Sequence, residues 1–160
     1  MLIESQGRGF PTDCIRNNRP VSTPDPEAFA RSWLDAWNAP DVEAVLEHFS
    51  NDVVFTSPMA VRVISGSDGI VHGKQALRAY WMTALQRIPD LHFELIGVYA
   101  GVRTIVINYR NHTGTFVDEV LTFGEDGLVS EGHGTYIAEL RAPQADDGCA
   151  SPIALGFDRQ

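Results

Sequence analysis

An α+β fold is predicted, with helices gathered in the first half of the chain and an antiparallel meander in the second. Two observations carry it. Apolar residues recur at helical spacing in three runs between residues 25 and 88. From residue 91, four strand-like runs then follow one another with only short turn-forming connections.

The first helix starts at Asp25-Pro26, an N-cap residue followed by proline at the first helical position. Phe29, Trp33, Ala36 and Trp37 form its apolar stripe, widened by Ala30 and Leu34. Asn38-Ala39-Pro40 breaks it. A second, shorter helix begins at Asp41, with Val42, Val45, Leu46 and Phe49 expected on its buried side, and the two pack as a hairpin. Asp52 to Ser57 reads as a strand ended by Pro58, and Val61 to Ile64 as a short strand before the turn at Gly66-Ser67-Asp68-Gly69. Gly73 opens a third long helix to about Arg87. Its stripe is Ala76, Leu77, Tyr80, Trp81, Ala84, Leu85 and Ile88, and Pro89 closes it. The meander strands run roughly 91–99, 104–111, 115–123 and 128–138. A domain over residues 24–140 is therefore expected between a mobile leader, 1–23, and a tail, 141–160.

The chain has 160 residues, 44% hydrophobic and 21% charged, enough for one domain with a real core. A formal net charge of −9 argues against a nucleic-acid surface, which needs clustered Lys and Arg. No run is long enough to span a membrane, and the first residues lack the pattern of a secretory signal. A cytoplasmic location is expected. Cys14 and Cys149 lie in the flanks, as two free thiols or as a bridge between the tails. The five histidines have no metal-ligand spacing, so neither metal nor cofactor is expected.

Within TFVDEVLTF, Val117, Glu119, Leu121 and Phe123 share the more apolar face, which points into the core. Glu119 sits in its middle. A carboxylate rarely goes inside unpaired, because desolvating its charge is expensive. Glu119 therefore faces either a cavity with a polar partner or ligand, or the solvent on a strand of the opposite register. In a cavity, burial raises its pKa.

The segments WLDAWNAPDVEAVLEHFSNDVVFTSP, HGKQALRAYWMTAL and EVLTFGEDGLV, in that order, resemble the SnoaL-like branch of the nuclear transport factor 2-like (NTF2-like) superfamily. The resemblance covers about Phe29 to Ile137. It implies a cone, a curved antiparallel sheet wrapped on three N-terminal helices, with a pocket at its open end. Members of that superfamily include isomerases, cyclases, hydrolases and non-catalytic binding domains, so the fold alone does not name a reaction. Compared with ketosteroid isomerases, Glu119 takes the position of the oxyanion-hole acid. Ser57 falls where those enzymes carry a basic aspartate, and Trp33 where they carry a tyrosine. Ser57 cannot accept a proton as a carboxylate does, which argues against steroid-type isomerisation by that route.

Alternation places Ile105, Ile107, Tyr109 and Asn111 on the inner face of the second meander strand, so Glu119, Tyr109 and Asn111 are expected to share a polar patch. Trp33, Trp37, Phe55, Tyr80, Trp81 and Tyr136 are the candidate apolar walls, with Ser57 and His72 as further ligand-binding candidates. Gly132 and Gly134 leave room in the last strand. Tryptophans at helical spacing also suit an ordinary core, and His72 suits a helix entry. His48 reads as a helix-end or surface residue, His92 and His112 as exposed, and His133 sits on a face the pattern leaves open.

Three functions fit: an acid–base enzyme acting on a hydrophobic substrate through Glu119 and Tyr109, a non-catalytic ligand-binding domain, or a protein-association module. The expected partner is a small hydrophobic ligand. A homodimer through the outer sheet face is also expected, using Ile96, Val98, Val106 and Val120.

Overall fold

The computed structural model describes residues 23–138. All but the last residue of the expected leader and the whole of the expected tail, with Cys14 and Cys149, lie outside the described residues. Helix α1 is Pro26–Asn38; the Asp25 carboxylate caps it by accepting from the Ala28 N–H at 2.8 Å. Its buried side is Phe29, Ala30, Trp33, Leu34 and Trp37. Helix α2, Val42–Leu46, is capped in the same way by Asp41.

Strand β1 is Phe49–Thr56 and begins three residues earlier than the sequence pattern indicates. Phe49 is buried as a strand residue paired with Val129, not as part of the helix. It continues the helical spacing of Val42 and Val45, but pairing with a strand distant in sequence overrides that local pattern. The expected strand at Val61–Ile64 is instead helix α3, Pro58–Val63. Ser57 is its N-cap, accepting from the Met59 N–H at 3.1 Å, and Pro58 its first residue. A cap followed by proline is a stronger helix signal than three β-branched residues are a strand signal.

Ile70–His72 forms the short edge strand β2, and Gly73, at φ +80°, turns the chain into α4, Lys74–Arg87. Leu77, Tyr80 and Trp81 of α4 are buried, whereas Ala76, expected in its stripe, is exposed. Strands β3 (Glu94–Gly101), β4 (Thr104–Arg110), β5 (Phe116–Phe123) and β6 (Val129–Tyr136) complete a six-stranded sheet in the order β2-β1-β6-β5-β4-β3. Every pairing is antiparallel except β1 with β6. The helices cover one face, α1 against β3 and α4 against β1.

Two irregularities set which side chains face inward. A shift between Thr122 and Phe123 in the β5–β6 pairing puts Gly132, Gly134 and Tyr136 on the inner face, and His133 on the outer. There His133 Nδ1 lies 2.8 Å from the Thr56 hydroxyl. A second shift at Ile96 pairs Val98 with the buried Ile107 and Tyr99 with Val106. Val98 therefore leaves the outer patch expected of it and packs on the core, while Tyr99, 63% exposed, joins Val106 and Val120 outside. His48 also departs from its expected place. It is half-buried edge-on against Phe29, and burial lowers its pKa, opposed by the neighbouring Glu47.

The two inward glycines of β6 differ. A Cβ on Gly132 falls 2.8 Å from Phe55 Cδ2, in a ring already held by Trp81 and Leu121. On Gly134 it meets nothing nearer than 3.4 Å. Gly132→Ala is predicted to cost about 1–3 kcal/mol by overpacking, lowering the thermal midpoint by several degrees. Gly134→Ala is predicted to leave it nearly unchanged. Thermal unfolding of the two variants followed by circular dichroism makes the comparison, and equal losses would contradict the packing described.

Candidate functional site

The inner face of the sheet and helices α1 and α4 enclose a cavity of about 90 Å³. Its deep wall is aromatic. Trp33 and Trp37 come from α1, Tyr80 and Trp81 from α4, Phe55 from β1 and Tyr109 from β4. These rings pack mostly edge to face, Trp37 on Trp81 at 5.1 Å and Phe55 on Trp81 at 5.5 Å between centroids. Packing of this kind fixes the wall before any ligand arrives. Its partly exposed side is formed by Met59 of α3, Leu85 and Ile88 at the end of α4, Leu91 beyond it, and Asn111 and the exposed His112 of the β4–β5 turn.

Among the described residues, Glu119 is the only ionisable carboxyl on this surface. It is 4% exposed, on the same strand face as Val117 and Leu121. Tyr109, diagonal to it across the β4–β5 pairing, donates its hydroxyl to Glu119 Oε2 at 3.3 Å. No Lys or Arg forms an ion pair with Glu119 among the described residues. Burial without a counter-charge pushes its carboxyl up to about 8, and the Tyr109 bond offsets only part of that rise. At neutral pH the group is therefore mainly a carboxylic acid, able to donate a hydrogen bond.

Three phenols surround it. Burial, then the Glu119 charge, hold Tyr109 well above the usual phenol range. Burial likewise raises Tyr80 and Tyr136, and the Ser57 hydroxyl beside both eases the rise. Ser57 and Glu119 approach each other across Gly134. A Cβ there would lie 3.4 Å from Ser57 Oγ and 3.5 Å from Glu119 Oε2. Gly134 thus keeps a gap between the acid and the hydroxyl.

Of the candidate residues named from sequence, Trp33, Trp37, Phe55, Ser57, Tyr80, Trp81, Tyr109, Asn111, Glu119 and Tyr136 all line the cavity. His72 does not. It is exposed on the edge strand β2, because alternation along that strand buries Val71. Asn111 lines the cavity but does not join the patch with Glu119. Its side-chain oxygen accepts from the Thr113 N–H and hydroxyl and the Thr115 N–H, closing the β4–β5 turn.

Phe93 is a wall that the sequence pattern leaves unmarked. It lies parallel to Trp33, with centroids 6.1 Å apart, and 4.4 Å from Tyr109. Asn38 pins it by donating to the Phe93 carbonyl at 2.9 Å and accepting its N–H at 2.8 Å. Asn38 thus does more than end a helix. Two further polar groups emerge only from the structure. The indole N–H groups of Trp33 and Trp37 are shut away from solvent without a protein acceptor. An unpaired buried donor costs about 1–3 kcal/mol. Among the described residues, no group of three or more His, Cys, Asp or Glu could hold a metal ion, and no helix is long and apolar enough to cross a membrane.

A curved sheet wrapped on N-terminal helices is the architecture of the NTF2-like superfamily. The family model of the SnoaL-like domain matches residues 30–141, and the chain belongs to that family. It is similar to a SnoaL-like protein of unknown function from Burkholderia thailandensis, at 42% identity and TM-score 0.66, covering 71% of this chain and 95% of that one. A protein provisionally named an isomerase of the SnoaL-like family, from Agrobacterium tumefaciens, shares the fold at 17% identity and TM-score 0.55, covering 71% and 97%. Another, provisionally named a polyketide cyclase, from Sinorhizobium meliloti, shares it at 15% identity and TM-score 0.54, covering 68% and 94%. No curated protein matches the sequence.

The raised pKa of Glu119 has a thermodynamic consequence of definite sign. The folded protein keeps this proton up to about pH 8, the unfolded chain only to about 4.5. Between those values the folded state binds the extra proton. Stability is therefore full below 4.5 and falls as pH rises toward 8, by at most about 1.4 kcal/mol per unit. His48 has the opposite sign, its lowered pKa adding stability only as pH rises to 6.5. Glu119→Gln removes the first slope and keeps the second. Denaturant titrations from pH 6.5 to 8 are predicted to show the parent losing stability relative to Glu119→Gln. A constant difference between them would mean that the carboxyl titrates normally.

Proposed function

We propose that the protein binds a small, largely apolar molecule through an oxygen acceptor placed against Glu119, and that Glu119 acts on that oxygen as a general acid. One observation carries the reading: a carboxyl 4% exposed, on the wall of an aromatic cavity, with no cationic partner among the described residues. A structural acid that is merely buried normally has its charge paired or its oxygens fully bonded. Here the acid has one long hydrogen bond, from Tyr109.

The chemistry follows from the groups present. At pH 7 the acid form of Glu119 donates to a carbonyl or epoxide oxygen and stabilises the charge that develops there. Tyr109 orients it. His112 also lines the cavity, at its exposed edge. Among the buried groups, Ser57 is a hydroxyl and the phenols are pushed upward, so Glu119 is the one buried acid–base group on the wall among the described residues. A proton removed from the buried end of the substrate therefore returns through the carboxylate of Glu119 itself. A pKa of about 8 permits both roles. This suits an isomerisation, cyclisation or ring opening in which one group gives and retakes a proton. The lack of a second buried base among the described residues also favours a simpler alternative, a ligand-binding domain without turnover.

The cavity limits the ligand. Its 90 Å³ is less than the roughly 150 Å³ of an engineered protein cavity that holds benzene. The enclosed part of the ligand is about one ring or smaller.

All three tryptophans of the chain line the cavity, so their fluorescence reports occupancy. Cyclohexanone is predicted to bind roughly tenfold more tightly than methylcyclohexane at pH 7. That preference should fade as pH passes 8 and the donor ionises. Equal affinity for ketone and hydrocarbon, or a preference that persists unchanged to pH 9.5 (about the level where the acid form is a few per cent), would remove Glu119 from the role.

A further inference from the structure

The rim of the cavity carries two arginines that the reading above leaves unused. Arg62 lies one helical turn beyond Met59 on α3, and Arg87 one turn beyond Ala84 on α4. Met59 and Ala84 both line the cavity, as does Ile88 next to Arg87. Residues three apart share a helix face, so both arginines, exposed and outside the lining itself, stand on the cavity side of their helices next to its partly exposed wall. They are also tied together, because Arg87 Nη1 donates to the Arg62 carbonyl at 3.3 Å. Arg62 is close enough to the Tyr136 phenol, itself on the cavity wall, to favour its ionised form.

Three of the other four described arginines are in ion pairs. Arg31, Arg78 and Arg110 are each held by a glutamate, while Arg103, on the β4 side of the sheet, donates like Arg87 to a backbone carbonyl. Arg62 and Arg87 are in no ion pair among the described residues. A cation in the last turn of a helix often does no more than complement the helix dipole. That role does not require two such residues from different helices to meet at one opening. In a chain of formal net charge −9, a local pair of positive charges at a cavity mouth is also against the general field.

The cavity is too small for more than the inner part of a substantial ligand. The remainder must leave through this opening. We infer that Arg62 and Arg87 form a subsite for an anionic group, so that the ligand has an oxygen acceptor at its buried end and a carboxylate or phosphate at its outer end. This rests on the placement of the buried end at Glu119. The wall inside has no Lys or Arg to receive an anion, and its aromatic faces repel one. The charge must therefore stay at the rim, which fixes the direction in which the ligand enters. Arginine suits the task, since its planar fork matches both carboxylate and phosphate.

The matched probes are 4-acetylbenzoate and its methyl ester, which differ in charge at one end and share the acetyl oxygen at the other. Tryptophan fluorescence titration at low salt is expected to give roughly tenfold tighter binding of the anion, the sum of two partly exposed ion pairs. Raising the salt concentration should erase most of that difference. The double substitution Arg62→Gln and Arg87→Gln should bring the anion down to the affinity of the ester while leaving the ester unchanged. Glu119→Leu should weaken both probes alike. Equal affinities in the parent protein, or a preference that survives the double substitution, would overturn the rim subsite. A preference that stands while Glu119→Leu changes nothing would keep the subsite and overturn the acid reading. Failure of both probes to bind at millimolar concentration would count against both.

Discussion

A carboxyl group taken out of water with no counter-charge is the constraint on which the account of this protein depends. Ionised, Glu119 would carry a desolvation cost that one long hydrogen bond from Tyr109 does not offset. The fold does not pair the charge. It encloses the group among Val117, Leu121, three phenols and the aromatic wall, and so holds the neutral form. The same enclosure that lowers stability as the pH rises creates a hydrogen-bond donor at neutral pH. Stability and chemistry thus rest on one interaction, and they respond to pH together.

Much of the remaining architecture positions that group. The β4–β5 register sets Tyr109 diagonal to Glu119, within reach of its carboxyl. The irregularity in the β5–β6 pairing brings Gly134 rather than His133 to the inner face. A histidine there would fill the gap beside Ser57 and place a second titratable group against the acid. On β6, Gly132 accommodates the Phe55 ring and Gly134 leaves open space, so two identical residues serve packing and site separately. Asn38 fixes Phe93 through its backbone, which closes the wall around Trp33 and Tyr109.

Sequence periodicity made much of this legible. The helical stripes, the order of strands and the inward face of Glu119 depend on local alternation, which a single chain displays directly. Ten of the eleven residues singled out line one cavity for the same reason. What alternation could not supply was the effect of distant pairing. Phe49 continues a helical pattern yet pairs with Val129, and the bulges at Ile96 and near Phe123 reverse the parity of Val98 and fix that of His133. His72 was attractive as a histidine at a helix entrance, but its exposure depends on an edge strand of only three residues. The short helix α3 was within reach, since Ser57-Pro58 is a cap followed by its proline. Its β-branched residues masked that signal. The unpaired indole groups and the small size of the cavity are properties of three-dimensional packing with no sequence signature.

The most direct measurement is a carbon-13 titration of the side-chain carboxyls by nuclear magnetic resonance, with Glu119 assigned by its loss in Glu119→Gln. The account requires that resonance to titrate with a midpoint near 8, well apart from the other glutamates. A midpoint near the ordinary value of about 4.3 for glutamate would show a charged, solvated carboxyl, and the central claim would fail.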